Sequence, residues 1–141
     1  MNPLTRTNRT IPLAGTLLAG LILLTAGPVA RAATPAELLA GYTAQAGAPA
    51  QAVRGQQFFT TTHGREWSCA SCHGASPTQG GKHASTGKPI GALAPAFNPE
   101  RFTDPAKAEK WFRRNCNDVV GRECSTGEKA DLLAWLMTLK P

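Results

Sequence analysis

Apolar positions recur at helical spacing in four stretches of the chain, and nowhere do they alternate as in a half-buried strand. The first stretch follows Thr34-Pro35-Ala36-Glu37, a capping box with proline at the first helical position. Leu38, Leu39 and Tyr42 give this helix an apolar side, and Gly47 followed by Pro49 ends it. Gln51 to Phe59 predicts a second helix, with Gly55 and Phe59 on one face, where a glycine lets another backbone come close. Asp104-Pro105 opens a third, whose stripe runs through Ala108, Trp111 and Phe112 and on to Asn115, Cys116 and Val119. Lys107, Lys110, Arg114 and Asn117 fall on its other side. Ser125-Thr126-Gly127-Glu128 is another capping box, and Leu132, Trp135, Leu136 and Leu139 make one face of the last helix. Between the second and third helices, Thr60 to Ser68 is a polar loop. Gly74 to Pro99 is then a long segment rich in glycine and proline, of the kind that wraps around something.

The amino terminus has a different character. Residues 1–10 carry Arg6 and Arg9 and no acid, Ile11 to Ala26 is almost wholly apolar, and Ala30-Arg31-Ala32 supplies small residues. That layout predicts a secretory signal peptide over residues 1–32, cleaved after Ala32, and one domain over residues 33–141. Its 16-residue apolar run is shorter than the roughly 20 residues that span a bilayer, so no stable membrane anchor is expected. Export predicts a periplasmic protein in which disulfides are permitted. Without residues 1–32 the chain keeps 12 basic residues against 9 acidic ones. It has no dense Lys/Arg tract interleaved with aromatics, which argues against nucleic acid as a partner.

The chemistry concentrates in Cys69-Ala-Ser-Cys72-His73. Two thiols at this spacing can each add across a haem vinyl group, and the following histidine ligates the iron. A thioredoxin-like pair would need a strand–helix–strand setting that is missing here. A four-thiolate zinc site with Cys116 and Cys124 would leave His73 without a role, and its second pair has the wrong spacing. The reading is one haem c, covalent through Cys69 and Cys72, with His73 as a metal ligand and four helices around it. The other ring nitrogen of His73 is expected to donate to a backbone carbonyl between Ile90 and Pro95.

The sixth ligand has several candidates. Met137 lies beside the core stripe of the last helix, and His63, His83, Lys88, Asn98 and Asn117 are polar alternatives. Asn115 is set apart by its position, four residues after Trp111 and three after Phe112 on the face expected to be buried. A buried amide there either meets the iron or hydrogen-bonds to nearby backbone. Cys116 and Cys124 are separated by residues that include Gly121, which lets the chain turn and bring the two into disulfide range.

The haem motif, Arg101-Phe102-Thr103-Asp104, Glu109-Lys110-Trp111, Arg114-Asn115-Cys116-Asn117, Gly121-Arg122 and the run Gly127 to Leu136 resemble the SHP (sphaeroides haem protein) family. The resemblance runs from about Thr34 to Leu139 and departs around Lys82 to Thr86, where this loop is one residue longer and carries His83. It implies an all-α, class I cytochrome c fold with a contact between the first and last long helices, Trp135 and Leu136 being the residues that could meet Gly55. It implies Asn115 as an iron ligand that leaves on reduction, a Cys116–Cys124 disulfide, and a ferrous haem that binds oxygen, nitric oxide or another small ligand. A dihaem cytochrome c is the electron donor it implies. A simple electron carrier with a stable six-coordinate haem is the alternative, and turnover of peroxide or nitric oxide ranks behind both.

Overall fold

A computed structural model describes residues 32–141; apart from Ala32, the expected signal segment lies outside them. The first helix, α1, spans Pro35–Ala46. Its Thr34–Glu37 capping box is closed in both directions, and Gly47 ends it in the left-handed conformation at φ 65°. Helix α2 covers Ala52–Thr60, with Gly55 and Phe59 buried. A single helical turn, α3, is formed by Cys69–His73. Helix α4 spans Pro105–Val119 behind an Asp104 cap, and α5 spans Thr126–Thr138 behind the reciprocal Ser125–Glu128 box. Among the described residues there are thus five helices, the four expected plus the turn that carries the haem motif.

The glycine-rich segment is not structureless. Gly81–Lys82 (β1) pairs antiparallel with Pro89–Ile90 (β2), Gly81 facing Ile90 and Lys82 facing Pro89. Two-residue strands carry no periodic signal, so local sequence could not announce them.

Helix α5 is the centre of the packing, with α1 and α2 laid against it. Gly55 makes this possible: a methyl group there would lie 2.8 Å from the Leu132 amide nitrogen and closer still to the Asp131 carbonyl. The expected close approach at Gly55 is therefore to the backbone of Asp131 and Leu132, one turn before Trp135 and Leu136. Phe59, Leu133 and Leu136 are wholly buried, and Phe59 packs on Trp135 with ring centroids 4.9 Å apart.

Two charged residues are buried in α5, and neither belongs to its apolar stripe. Asp131 accepts the Gln51 amide at 2.6 Å and the Arg54 guanidinium, so that it caps α2 from the neighbouring helix. Lys129 reaches back to Glu109 of α4 at 2.7 Å. No helix of the described residues is long and apolar enough to cross a membrane.

Candidate functional site

The single turn of α3 puts Cys69, Cys72 and His73 at positions i, i+3 and i+4, on one face. Its start is fixed by Ser71, whose hydroxyl accepts the Ser68 amide at 3.0 Å, and Gly74 ends it with φ 76°. The hairpin seats directly on this turn. A methyl group on Gly81 would lie 3.1 Å from the His73 Cα and closer to the Cys72 carbonyl, so only glycine fits. From the same hairpin, the Ala84 amide donates to the Cys72 sulfur at 3.2 Å.

Burial tunes Cys69 and His73. It pushes the Cys69 thiol up to about 11, so the sulfur stays protonated, and neither Cys69 nor Cys72 is in a disulfide. Burial, with the Arg101 guanidinium as a smaller contributor, holds His73 down at about 4. The imidazole is thus neutral near pH 7, which is the form that ligates a metal. The expected carbonyl partner for its second nitrogen is not engaged: the His73 ring makes no hydrogen bond to the described residues. The carbonyls of Gly91 and Ala92 accept from Arg101 instead, at 3.1 and 2.9 Å, and Asn98 shares the Ala92 oxygen at 3.1 Å. Arg101 is a site residue that periodicity and spacing did not mark.

All four predicted site residues, Cys69, Cys72, His73 and Asn115, line one cavity of about 1080 Å³. Few small-molecule sites are larger than about 1000 Å³. Phe59, Phe102, Phe112, Ile90, Leu93 and Leu132 supply much of its apolar wall. Arg65, Lys88, Arg101, Lys107 and Arg114 border it as well. Paired thiols on one turn, a neutral imidazole beside them, apolar walls, and cations that suit carboxylates fit a covalently attached haem.

The stripe on α4 needs correction. Its core contacts are Ala108, Phe112, Cys116 and Val119, a narrower band than expected. Trp111, 42% exposed, and Asn115 sit beside that band and face the cavity, not the packed interior. Asn117 lines the cavity too, as do His83, Lys88 and Asn98. His63 does not: its Nε2 lies 2.8 Å from the Phe58 carbonyl and its ring 4.4 Å from that of Phe58. Met137 packs against the core. Just beyond Asn115, the Cα atoms of Cys116 and Cys124 approach to 5.6 Å, with the sulfurs at bonding distance. Gly121 makes the intervening turn at φ 82°, and a methyl group there would lie 2.8 Å from the Arg65 guanidinium.

Comparison with known proteins agrees with this geometry. Residues 45–136 match a family described as a domain of unknown function (DUF1924). The cytochrome c-type protein SHP of Cereibacter sphaeroides is 56% identical over 116 residues, covering 79% of this chain and 89% of that protein. The structure of oxidised SHP, an oxygen-binding cytochrome c, superposes with a TM-score of 0.72 at 54% identity, over 77% of this chain and 99% of the other. The solution structure of cytochrome c'' from Methylophilus methylotrophus, which gave insights into haem-ligand detachment, has a TM-score of 0.63 at 40% identity, over 76% and 94% of the two chains. Such relatives imply a covalently bound haem c, and the fold is the all-α fold of class I c-type cytochromes. The chain belongs to the DUF1924 family and, among c-type cytochromes, to the SHP group.

Proposed function

We propose that this chain is a periplasmic mono-haem cytochrome c of low potential whose reduced form binds oxygen, nitric oxide or a similar small ligand. What carries the reading is that Cys69, Cys72, His73 and Asn115 border one cavity, in a relative of an oxygen-binding cytochrome. Cys69 and Cys72 would hold the haem through thioethers, and His73 and Asn115 would supply side-chain ligands to its iron. Bound there, the haem supplies an iron that takes up one electron and, once reduced, one small ligand.

The remaining steps belong to the polypeptide. Burial keeps His73 neutral, so its ring nitrogen is free to donate. The Asn115 carboxamide oxygen is a hard, neutral donor that would favour the oxidised site and would be released from the reduced one. Once released, its N–H groups can donate to an oxygen atom of the incoming ligand. Trp67, Trp111 and Phe112, all in the cavity wall, exclude bulk water. A Cys116–Cys124 disulfide fixes the end of α4 immediately after Asn115. Export would remove residues 1–32 and leave 33–141 as the working domain, with a dihaem cytochrome c as electron donor.

Carbon monoxide added to the reduced protein tests this reading. A clear Soret change is expected, and Asn115→Met abolishes it by supplying a ligand that stays on reduced iron. An unchanged Soret band in the wild-type protein would leave a six-coordinate electron carrier in place of this function.

A further inference from the structure

A buried ammonium group stands one side chain away from the cavity. Lys129 on α5 is 9% exposed, and its Nζ lies 5.9 Å from the centroid of Phe112, whose ring lines the cavity. The same Nζ lies 5.7 Å from the ring of Tyr42, which meets Phe112 edge-on at 5.8 Å. Among the described residues, the one carboxylate on it is Glu109 at 2.7 Å, and that side chain is 46% exposed. The pair is therefore lopsided, its cation buried against the cavity wall and its anion half in solvent.

Burying a lysine costs free energy that a methionine or leucine of similar volume would not. Charge placed there, in contrast, acts through a poorly screening interior. Reduction adds one electron to the cavity's occupant, so a fixed positive charge behind Phe112 favours the reduced state, and a negative one favours the oxidised state. We infer that Lys129 sets the electron affinity of the site and that Glu109 holds it in check, so that the pair acts as an electrostatic trim on the redox equilibrium. This rests on the haem reading of the cavity and adds to it a residue that touches neither haem nor ligand.

The experiment is a spectroelectrochemical titration of the intact holoprotein and three variants. Lys129→Met, which removes the cation and leaves Glu109 unmatched, is expected to lower the midpoint potential. Glu109→Gln is expected to raise it, each by roughly three- to tenfold in the reduced-to-oxidised ratio at fixed applied potential. The double variant returns towards the wild-type value. A packing defect has no reason to give opposite signs in the two single variants. High salt shrinks these shifts less than that of Lys110→Gln, an exposed control on α4. If Lys129→Met does not fold, the positive shift of Glu109→Gln decides. Single variants that move the potential in the same direction, or not at all, while the carbon monoxide response stays normal, would overturn the inference and leave the ligand-binding function standing. Loss of the carbon monoxide response in the wild-type protein would strike that function instead.

Discussion

Adding one methyl group at Gly55 tests the packing on which the whole domain rests. An alanine Cβ there would lie 2.8 Å from the Leu132 nitrogen and nearer to the Asp131 carbonyl carbon and oxygen, whereas real Cβ contacts essentially never fall below 3.0 Å. All three obstacles are backbone atoms, so no side-chain rotation relieves them and α2 must part from α5. Overpacking of this kind costs about 1–3 kcal/mol. Parting the helices also loosens the cap that Asp131 makes on the Gln51 amide, worth about 0.5–2 kcal/mol. Against this stands a gain of about 0.5–1 kcal/mol from replacing a helical glycine by alanine. The net is a loss of about 2 kcal/mol, and at roughly 4–8 °C per kcal/mol for a domain of this size Tm falls by about 8–16 °C. Gly41, exposed in α1 with nothing within 4 Å of its added methyl, is the matched control, and Gly41→Ala should gain the propensity term alone. Thermal unfolding of the two holoproteins, followed by far-ultraviolet circular dichroism, should move in opposite directions. A Gly55→Ala protein as stable as wild type would refute the close-packed α2–α5 contact.

Other perturbations read the site and the charges. Gly81→Ala lifts the hairpin off α3, because its methyl meets the backbone of Cys72 and His73; stability should fall by about 1–3 kcal/mol with a shifted ferric Soret band, and an unchanged protein would disprove the seating. Asp131→Asn keeps the shape but removes the charge received by Gln51 and Arg54. It should lower the urea midpoint by the equivalent of about 1–2 kcal/mol. Glu128 is held below its ordinary 4.5 by Arg122, with burial opposing and Ser125 adding to the effect. Burial alone would raise Glu109, but Lys129, Tyr42 and Arg113 outweigh it. Both carboxyls are depressed on folding, so their stabilisation is complete above about pH 4.5 and is lost as pH falls through the folded values, because the unfolded chain takes up protons first. Urea midpoints at pH 7, 5 and 3 should therefore drop mainly in the last interval, and less so in Arg122→Gln.

The parts legible in the sequence were those whose physics is local. Thr34 with Glu37 and Ser125 with Glu128 are three residues apart, and each box closes within itself, so pattern and structure coincide. The grouping of Cys69, Cys72 and His73 was legible for the same reason, all three lying within five positions on the single turn of α3. The misplacement of Trp111 and Asn115 has a different origin. A helical wheel gives the angle at which a side chain leaves the axis, and both leave close to the core stripe. Whether the space there holds packed side chains or a cavity depends on α3 and the hairpin, more than 20 residues away in sequence. Asp131 and Lys129 were silent likewise: their partners lie 77 and 20 residues away, and a charged residue beside an apolar stripe reads as solvated until those partners are placed.

The placement of the tethers bears on how Asn115 could let go. Helix α4 is joined to α5 by the Glu109–Lys129 ion pair and to the start of α5 by Cys116 and Cys124. Those joints fall on either side of residue 115, and Phe112 between them is held by the rings of Tyr42 and Phe102. To move Asn115 by shifting the helix would disturb an ion pair, a cross-link and a packed aromatic at once. Rotating its side chain disturbs none of them, and Asn115 makes no hydrogen bond to the described residues that would have to break. Side-chain rotamer changes of this kind take picoseconds to nanoseconds, whereas collective helix motions take microseconds or longer. On the proposed reading, then, the gate is the carboxamide alone, hung on a helix that the fold takes care to immobilise. Ligand entry after reduction should therefore follow loss of the asparagine bond without waiting for any rearrangement of the fold.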